Sequence, residues 1–429
     1  MPRIAVIGLG VRAATLVADL KRVDPTVEVA AVVDTAPEEA VRTKVAPILA
    51  DLDASAAFFP SVDDLLAHGP SFDGTIVGAH CAFHTEIALA LAPLGLPMLL
   101  EKPVAIDDQQ LTDLAVGFAG PYDEVLVSFP LRVTPLFTAA LDIVRSGRLG
   151  RINHVQAWNY VPYGGAYYTS WYRDYGLGGG LWLQKATHDF DVLNHLVGAC
   201  ATSVAATLTR SVYGGDKPVD LVCSRCPEAG VCPESPLQIR LRGDGGGMAW
   251  DDHLCAFSTE AADQDAGCAI LTYPDGVIAD YSQNFISRRS AGRRGAKVTG
   301  YLATLEFDWY TEMIKVVDHH RDQVDEIAVH APTGHIGGDR QLVLRYLRML
   351  EGGRAVDCNL ADGLASAAVC LEARRSCQTR RFEDVPSLDT IRARSRPPAP
   401  APTPTPTPTP TRTPSTSRRS CQPEFEARA

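Results

Sequence analysis

The sequence predicts an α/β protein in two parts: a doubly wound parallel sheet, then an α+β domain with mainly antiparallel strands. Three observations carry that reading. Short apolar runs alternate with helical patterns up to residue 129. The segment Gly8-Leu9-Gly10-Val11-Arg12-Ala13 joins the first apolar run to the first helical pattern. Beyond residue 150, strand-like runs outnumber helical ones, and turn signals such as Asp275-Gly276 between them favour hairpins.

The opening reads as a βαβ unit, with a strand over residues 4–7, a helix over 13–20, a strand over 27–33 and a helix rich in Ala and Glu. A strand at 74–77, a helix at 85–94 and strands at 98–100 and 125–128 extend one parallel sheet, so the first domain spans 1–129. A helix over 135–146, closed by Gly147 and Gly150, leads into a strand over 152–158. Further strands are expected at 201–209, 268–272, 277–281, 297–300 and 303–307. Helices at 339–351 and 360–378 complete a second domain over 130–386. Residues 387–429 are expected to be a disordered tail, because 397–414 is mostly Pro, Thr and Ala and buries too little apolar surface to offset ordering.

A chain of 429 residues with 46% hydrophobic content can build a substantial core without disulfide or metal support. Its formal net charge of -11 argues against nucleic acid, whose phosphates require clustered Lys and Arg. No uninterrupted apolar run reaches the ~18 residues of a membrane span. The N-terminus enters Ile4-Ala5-Val6-Ile7-Gly8 without a signal-peptide pattern, which makes the cytoplasm the expected compartment. Most of the eleven cysteines are expected to be reduced, and Cys81, Cys200, Cys358, Cys370 and Cys377 read as small buried hydrophobes.

The first turn fits G-x-G-x-x-A in the strand–turn–helix context that gives the motif meaning, the Rossmann dinucleotide fingerprint. Gly8 permits the tight turn, Gly10 lets backbone approach a pyrophosphate, and Ala13 allows close helix packing, while the helix start offers amide donors. Asp34 ends the second strand, where a carboxylate accepts from both adenosine ribose hydroxyls and repels a 2'-phosphate. NAD is therefore favoured over NADP, although Arg12 and Arg42 could approach the same region.

Four separated signals resemble the glucose-fructose oxidoreductase and inositol dehydrogenase family, Gfo/Idh/MocA. They are Gly8-x-Gly10; His84-x-x-x-Ala88 leading into Glu101-Lys102-Pro103; Arg132-x-x-Pro135 with Ser146-Gly147-Arg148-Leu149-Gly150; and Gly178-Gly179-Gly180 leading to His188-Asp189-Phe190-Asp191. The resemblance covers nearly the whole chain before the tail. It implies a Rossmann domain and a second domain with a large, open, mainly antiparallel sheet that often forms an oligomer interface, hence a homo-oligomer. It also implies that Glu101, Lys102, Pro103 and His84 belong to the cofactor region, that Lys102 lies near the nicotinamide and the substrate hydroxyl, and that His188 is an acid/base. A polyhydroxylated small molecule, a sugar, sugar derivative or cyclitol, is the implied substrate.

His188, Asp191 and His195 recur at helical spacing, which places them on one stripe. His195 is expected to pack or to hydrogen-bond locally. The chain departs from the family at Gln184, where many members carry an aspartate four residues before the histidine, so that task passes to Lys185, Asp189 or Asp191, or is absent. It departs again at Ala79-His80, where members often have Thr-Pro. Aromatics crowd residues 158–182, and Trp171, Tyr172, Arg173 and Asp191 are expected substrate contacts, the rings suiting the apolar face of a sugar. His335, in Gly334-His335-Ile336-Gly337-Gly338, is a further candidate.

Cys223-x-x-Cys226-x5-Cys232 could present three thiolates to a structural zinc, with Cys255, His253 or an acidic side chain as fourth ligand; free thiols or redox pairing are the alternative. Three functions fit the pattern. The first is an NAD(P)-dependent oxidoreductase acting on CH–OH groups, the second an NAD-dependent glycoside hydrolase using transient oxidation and elimination, mildly favoured by the block at His335, and the third a non-catalytic NAD-binding sensor or scaffold.

Overall fold

The computed structural model describes residues 1–50, 52–118, 120–243, 252–261, 263–331 and 334–394. Six strands, β1 (Arg3–Ile7), β2 (Glu28–Val33), β3 (Ala57–Phe59), β4 (Gly74–Val77), β5 (Met98–Leu100) and β6 (Val125–Val127), form one sheet in the order β3-β2-β1-β4-β5-β6. Every pairing is parallel. Strand order reverses between β1 and β4, which opens a crevice at the carboxyl ends of the strands. The strands are continuous apolar runs because both faces are covered; Ile4, Ala5, Val6, Val29, Ala31 and Val32 have no exposed surface. The helix Val11–Val23 supplies part of that cover, burying Ala13, Leu16, Val17 and Leu20 at helical spacing.

The second sheet has nine strands: β7 (Ile152–Tyr160), β8 (Ser203–Thr209), β9 (Ala266–Thr272), β10 (Ile278–Asn284), β11 (Arg293–Gly300), β12 (Ala303–Asp308), β13 (Met313–Asp318), β14 (Val324–Ala328) and β15 (Glu383–Asp384). Their order is β14-β13-β12-β11-β7-β10-β9-β8-β15, antiparallel except for β10 beside β7. Residues alternate between a face packed on helices and an uncovered face. The uncovered face carries exposed Ile270 and Ile278 among ion pairs such as His154–Asp280 and Lys315–Glu326. The expected mainly antiparallel sheet is therefore present, with three strands, β13, β14 and β15, beyond the six expected. β14 is an edge strand, largely exposed, so it lacks the alternation that betrays a half-buried strand.

The domains are interlocked by the late helices. The helix Leu360–Thr379 has buried residues on all sides and packs against β6, β8 and the helix Thr187–Val197. Before it starts, Val127 N–H donates to Cys358 O at 2.6 Å; near its end, Ser376 Oγ accepts from Ala206 N–H at 2.8 Å. The helix Gly338–Leu350 packs on Val11–Val23, and its Tyr346 hydroxyl donates to Thr75 O at 2.9 Å. The first domain thus draws its cover from residues far beyond 129. At the junction, Arg132 Nε donates to Asp191 Oδ2 at 2.9 Å and Nη1 to Asp362 Oδ2 at 2.7 Å.

Order continues past the expected boundary at 386. The helix Leu388–Arg394 buries Ile391 completely, and Arg392 lies over the Tyr122 ring at 4.9 Å. Two large apolar residues, Leu388 and Ile391, in a short helix are too weak a periodic signal to separate it from the polar run that follows. The rest of the expected tail lies outside the described residues. Among the described residues no helix is long and apolar enough to cross a membrane.

Ile391→Ala should cost about 2–5 kcal/mol, read as a lower urea midpoint, and a wild-type midpoint would show that the last helix does not dock. Asp191→Ala should cost about 3 kcal/mol or more because it strips a buried guanidinium of its principal partner. An unchanged midpoint in that variant would remove the ion pair from the domain junction.

Candidate active site

The cofactor elements converge where β1, β2, β4 and β5 end. Gly8 has φ +77°, and a Cβ there would lie 2.5 Å from Ala79 N, so this turn requires glycine. A Cβ on Gly10 would meet nothing within 4 Å, which leaves open space over the backbone at the start of the helix Val11–Val23, and no side chain caps that start. Ala13 sits against Gly78, where a Cβ would come within 2.8 Å of its methyl. Open space, uncapped helical amides and the carboxylate of Asp34 at the end of β2 fit a dinucleotide. Asp34 accepts from Leu9 N–H at 3.2 Å and Ala36 N–H at 2.9 Å, which fixes it beside the turn.

Arg12 and Arg42 do not approach this edge as free cations. Arg12 Nε donates to Glu101 Oε1 at 2.7 Å, Nη1 to Asp339 Oδ1 at 2.8 Å and Nη2 to Ser128 Oγ at 3.0 Å. Arg42 pairs with Glu38 and lies over Phe58. His335 is half-exposed and shares Asp339, its Nδ1 2.7 Å from Oδ2. Burial would raise Asp339, yet the His335 hydrogen bond and the Arg12 charge hold its pKa down to about 2. His335 is therefore anchored at a helix start. Glu101, spent on Arg12, braces the strand end rather than reaching outward. His84 is also withdrawn from the cofactor edge: it is buried, with Nδ1 2.7 Å from Pro103 O and Nε2 2.9 Å from Ala79 O. It ties the turn after β4 to the residues after β5.

Lys102 remains partly open, and its Nζ donates to Gln184 O at 2.9 Å, a bond between the two domains. Burial lowers its pKa. The glycine run before Gln184 turns sharply, with φ +75° at Gly179 and +87° at Gly180, and a π-helical turn, Trp182–Ala186, runs into the helix Thr187–Val197. Gln184 Nε2 donates to Gly178 O at 2.8 Å and to Cys81 Sγ at 3.0 Å. His188 is 8% exposed, its ring edge-on to Phe129 at 5.9 Å, and its Nδ1 has no hydrogen-bond partner among the described residues. Burial drives its pKa well down, and the charges of Lys102, Arg294 and Lys185 add to the effect. Lys102 and His188 thus share one electrostatic environment.

Several expected contacts have other work. Asp191 faces Arg132 and is 2% exposed, so the shared stripe with His188 does not reach the cleft; burial pushes its pKa up to about 6 against the pull of Arg132. Arg173 is buried and binds Val219 O at 2.7 Å and Ser258 Oγ at 3.1 Å, bracing the long insertion between β8 and β9. His195 meets Arg145 at 3.2 Å and packs on Phe137, a local role. Asp189 accepts from Arg294 Nε, Asn159 Nδ2 and the Tyr281 hydroxyl, each at 2.8 Å, and is fully engaged. Trp171 stacks on His80, just beyond β4, at 4.5 Å and on Tyr172 at 4.1 Å. The sequence reading missed Tyr163 as a partner for Lys185; Lys185 Nζ donates to its hydroxyl at 2.6 Å. Only the weak hint of a lysine beside the aberrant Gln184 pointed there.

The zinc expectation is not met. Among the described residues no group of three or more His, Cys, Asp or Glu side chains is placed to hold a metal ion. Cys223 Sγ lies 3.7 Å from His253 Nδ1, but that nitrogen also faces Leu254 O at 2.9 Å, and backbone bonds such as Cys226 N–H to Cys223 O close the loop without metal. Cys223, Cys226 and Cys232 are free thiols, as are the other described cysteines, and Cys200 is exposed rather than buried.

Residues 2–119 match an oxidoreductase family with an NAD-binding Rossmann fold, and residues 137–306 match the GFO/IDH/MocA C-terminal domain. The oxidoreductase YteT of Bacillus subtilis (strain 168) is 24% identical over 70% of this chain and 82% of its own. An inositol 2-dehydrogenase of Corynebacterium glutamicum (strain R) is 23% identical over 56% of this chain and 68% of its own. Among solved structures, an oxidoreductase domain protein from Kribbella flavida gives a TM-score of 0.69 at 19% identity, over 90% of this chain and 100% of that one. Levoglucosan dehydrogenase in complex with NADH and levoglucosan gives 0.67 at 15%, again over 90% and 100%. Matches to both halves, in order and on the observed sheets, mean that the chain belongs to the Gfo/Idh/MocA family of oxidoreductases.

Proposed function

We propose that the protein is an NAD-dependent dehydrogenase or reductase acting on a CH–OH group of a sugar, sugar derivative or cyclitol, with Lys102 and His188 handling the hydroxyl proton. The observation that carries this is the buried His188 Nδ1, without a hydrogen-bond partner among the described residues and within reach of the charge of Lys102, each group coming from a different domain. Interconverting an alcohol and a carbonyl requires such a proton acceptor beside the carbon. Bound NAD supplies the hydride acceptor, with Gly8, Gly10 and the helix start at its pyrophosphate and Asp34 at its adenosine ribose. The engagement of Arg12 and Arg42 elsewhere supports NAD over NADP.

The substrate class rests on the relatives, two of which are named for inositol and levoglucosan. The Trp171–Tyr172 shelf suits the apolar face of such a ring. His335, tied to Asp339, gives no support to hydrolysis. The uncovered face of the nine-stranded sheet supports assembly as a homo-oligomer through that face.

The test is a panel of sugars and cyclitols, including myo-inositol and levoglucosan, followed by NADH fluorescence with protein ending at residue 394. Stoichiometric NADH formation is expected. Lys102→Met should lower kcat at least about 100-fold while NADH still binds, and near-normal turnover would remove the proton role. Sugar release without NADH accumulation would establish the hydrolytic reading, and cofactor binding with no turnover across the panel would establish the sensor.

A further inference from the structure

Gln184 cannot ionise, and the nearby carboxylates are spent: Asp189 on Arg294, Asn159 and Tyr281, and Asp191 on Arg132. Its neighbour Lys185 is 5% exposed and carries an ammonium whose one hydrogen bond among the described residues goes to a phenol rather than an acid. That phenol, Tyr163, lies on the loop after β7 and keeps part of its surface open. The ammonium also sits over the Tyr163 ring at 4.7 Å and near the Tyr167 ring at 5.6 Å. A run of rings joins this pair to the cofactor edge. Tyr163 meets Tyr167 at 6.4 Å, Tyr167 meets Tyr172 at 5.0 Å, Tyr172 meets Trp171 at 4.1 Å and Trp171 meets His80, just beyond β4, at 4.5 Å.

We propose that Tyr163 and Lys185 form an acid/base dyad in which the Tyr163 oxygen, as a phenolate stabilised by the Lys185 ammonium, takes up the hydroxyl proton that Lys102 and His188 draw from the substrate. This rests on the dehydrogenase reading above. In the oxidising direction the substrate O–H bond breaks and an O–H bond forms on the Tyr163 phenolate, while the carbinol carbon loses a hydride and NAD is reduced. Lys185, already an ammonium, keeps its protons and donates the 2.6 Å hydrogen bond that stabilises the phenolate form. In reduction the same phenol donates.

The surroundings favour this chemistry. Burial would raise Tyr163, but the cations Lys185, Arg294 and Lys102 outweigh it and lower its pKa, while Tyr167, Tyr172 and Tyr310 stand near as neutral phenols. Burial lowers Lys185, opposed by Tyr163 and Asp189. The two shifts narrow the gap between donor and acceptor. Arg294 is not the phenol's partner because its guanidinium is bound to Asp189.

NMR of the full chain with ring-labelled tyrosine, without cofactor, tests the dyad independently of any substrate. One tyrosine should titrate below the ordinary value of about 10, vanish in Tyr163→Phe and move upward in Lys185→Met. With whichever polyol reduces NAD in the panel, Tyr163→Phe should lower kcat about 100-fold or more with NADH affinity unchanged. Lys185→Met should shift the rising limb of the oxidation rate to higher pH, since the phenolate then forms later. An ordinary or raised Tyr163 titration, or wild-type kcat in Tyr163→Phe, would overturn the dyad and leave the dehydrogenase reading standing. A depressed titration with no polyol oxidised would leave the dyad standing and remove the substrate class. Should Lys185→Met fail to fold, Tyr163→Phe alone decides.

Discussion

The cleft exists only because one helix is shared between two sheets. Leu360–Thr379 shows almost no amphipathic bias, being buried against β6 on one side and against β8 and the helix Thr187–Val197 on the other. A helix apolar all round is stable only when enclosed. Its enclosure brings the carboxyl edge of the parallel sheet against the π-helical turn of the second domain, and the Lys102–Gln184 bond follows from that approach. The Arg132 pairs with Asp191 and Asp362 lock the same seam with buried charge.

Cations gather at this seam, and the kind of partner separates bracing from chemistry. Arg12 and Arg294 face carboxylates, so their charge is fixed and their role is to hold strand ends and loops in place. Lys102 and Lys185 face a carbonyl and a phenol, both uncharged, and burial lowers both of their pKa values. Lysines desolvated beside neutral partners hold their protons loosely. His188, pushed toward the neutral imidazole, is a third group at the seam whose charged form burial disfavours.

Much of this was legible in the sequence. The apolar runs of β1, β2 and β4, the positive φ demanded at Gly8 and the carboxylate ending β2 are local facts, and they lie where the pattern put them. The roles that failed depend on partners distant in the chain. Helical spacing put Asp191 on a stripe with His188, but no spacing reveals that Arg132 claims it; Arg173 looked available until Val219 and Ser258 met it from an insertion. The Cys223 cluster had suitable intervals, yet interval alone does not orient thiols toward a common point. Tyr163 and Lys185 lie far enough apart in sequence, across the glycine turn, that only the folded chain pairs them.

The position of the shared helix also bears on how the protein is made. A ribosome delivers β6 long before Cys358 and the helix that follow it, and at about 5–20 residues per second the parallel sheet waits through the synthesis of the whole second domain. During that interval the β6 flank and the surface that will receive Tyr346 stand bare, as sticky half-finished faces. Nascent-chain protection is thus written into the topology: the nucleotide fold is begun first and finished last.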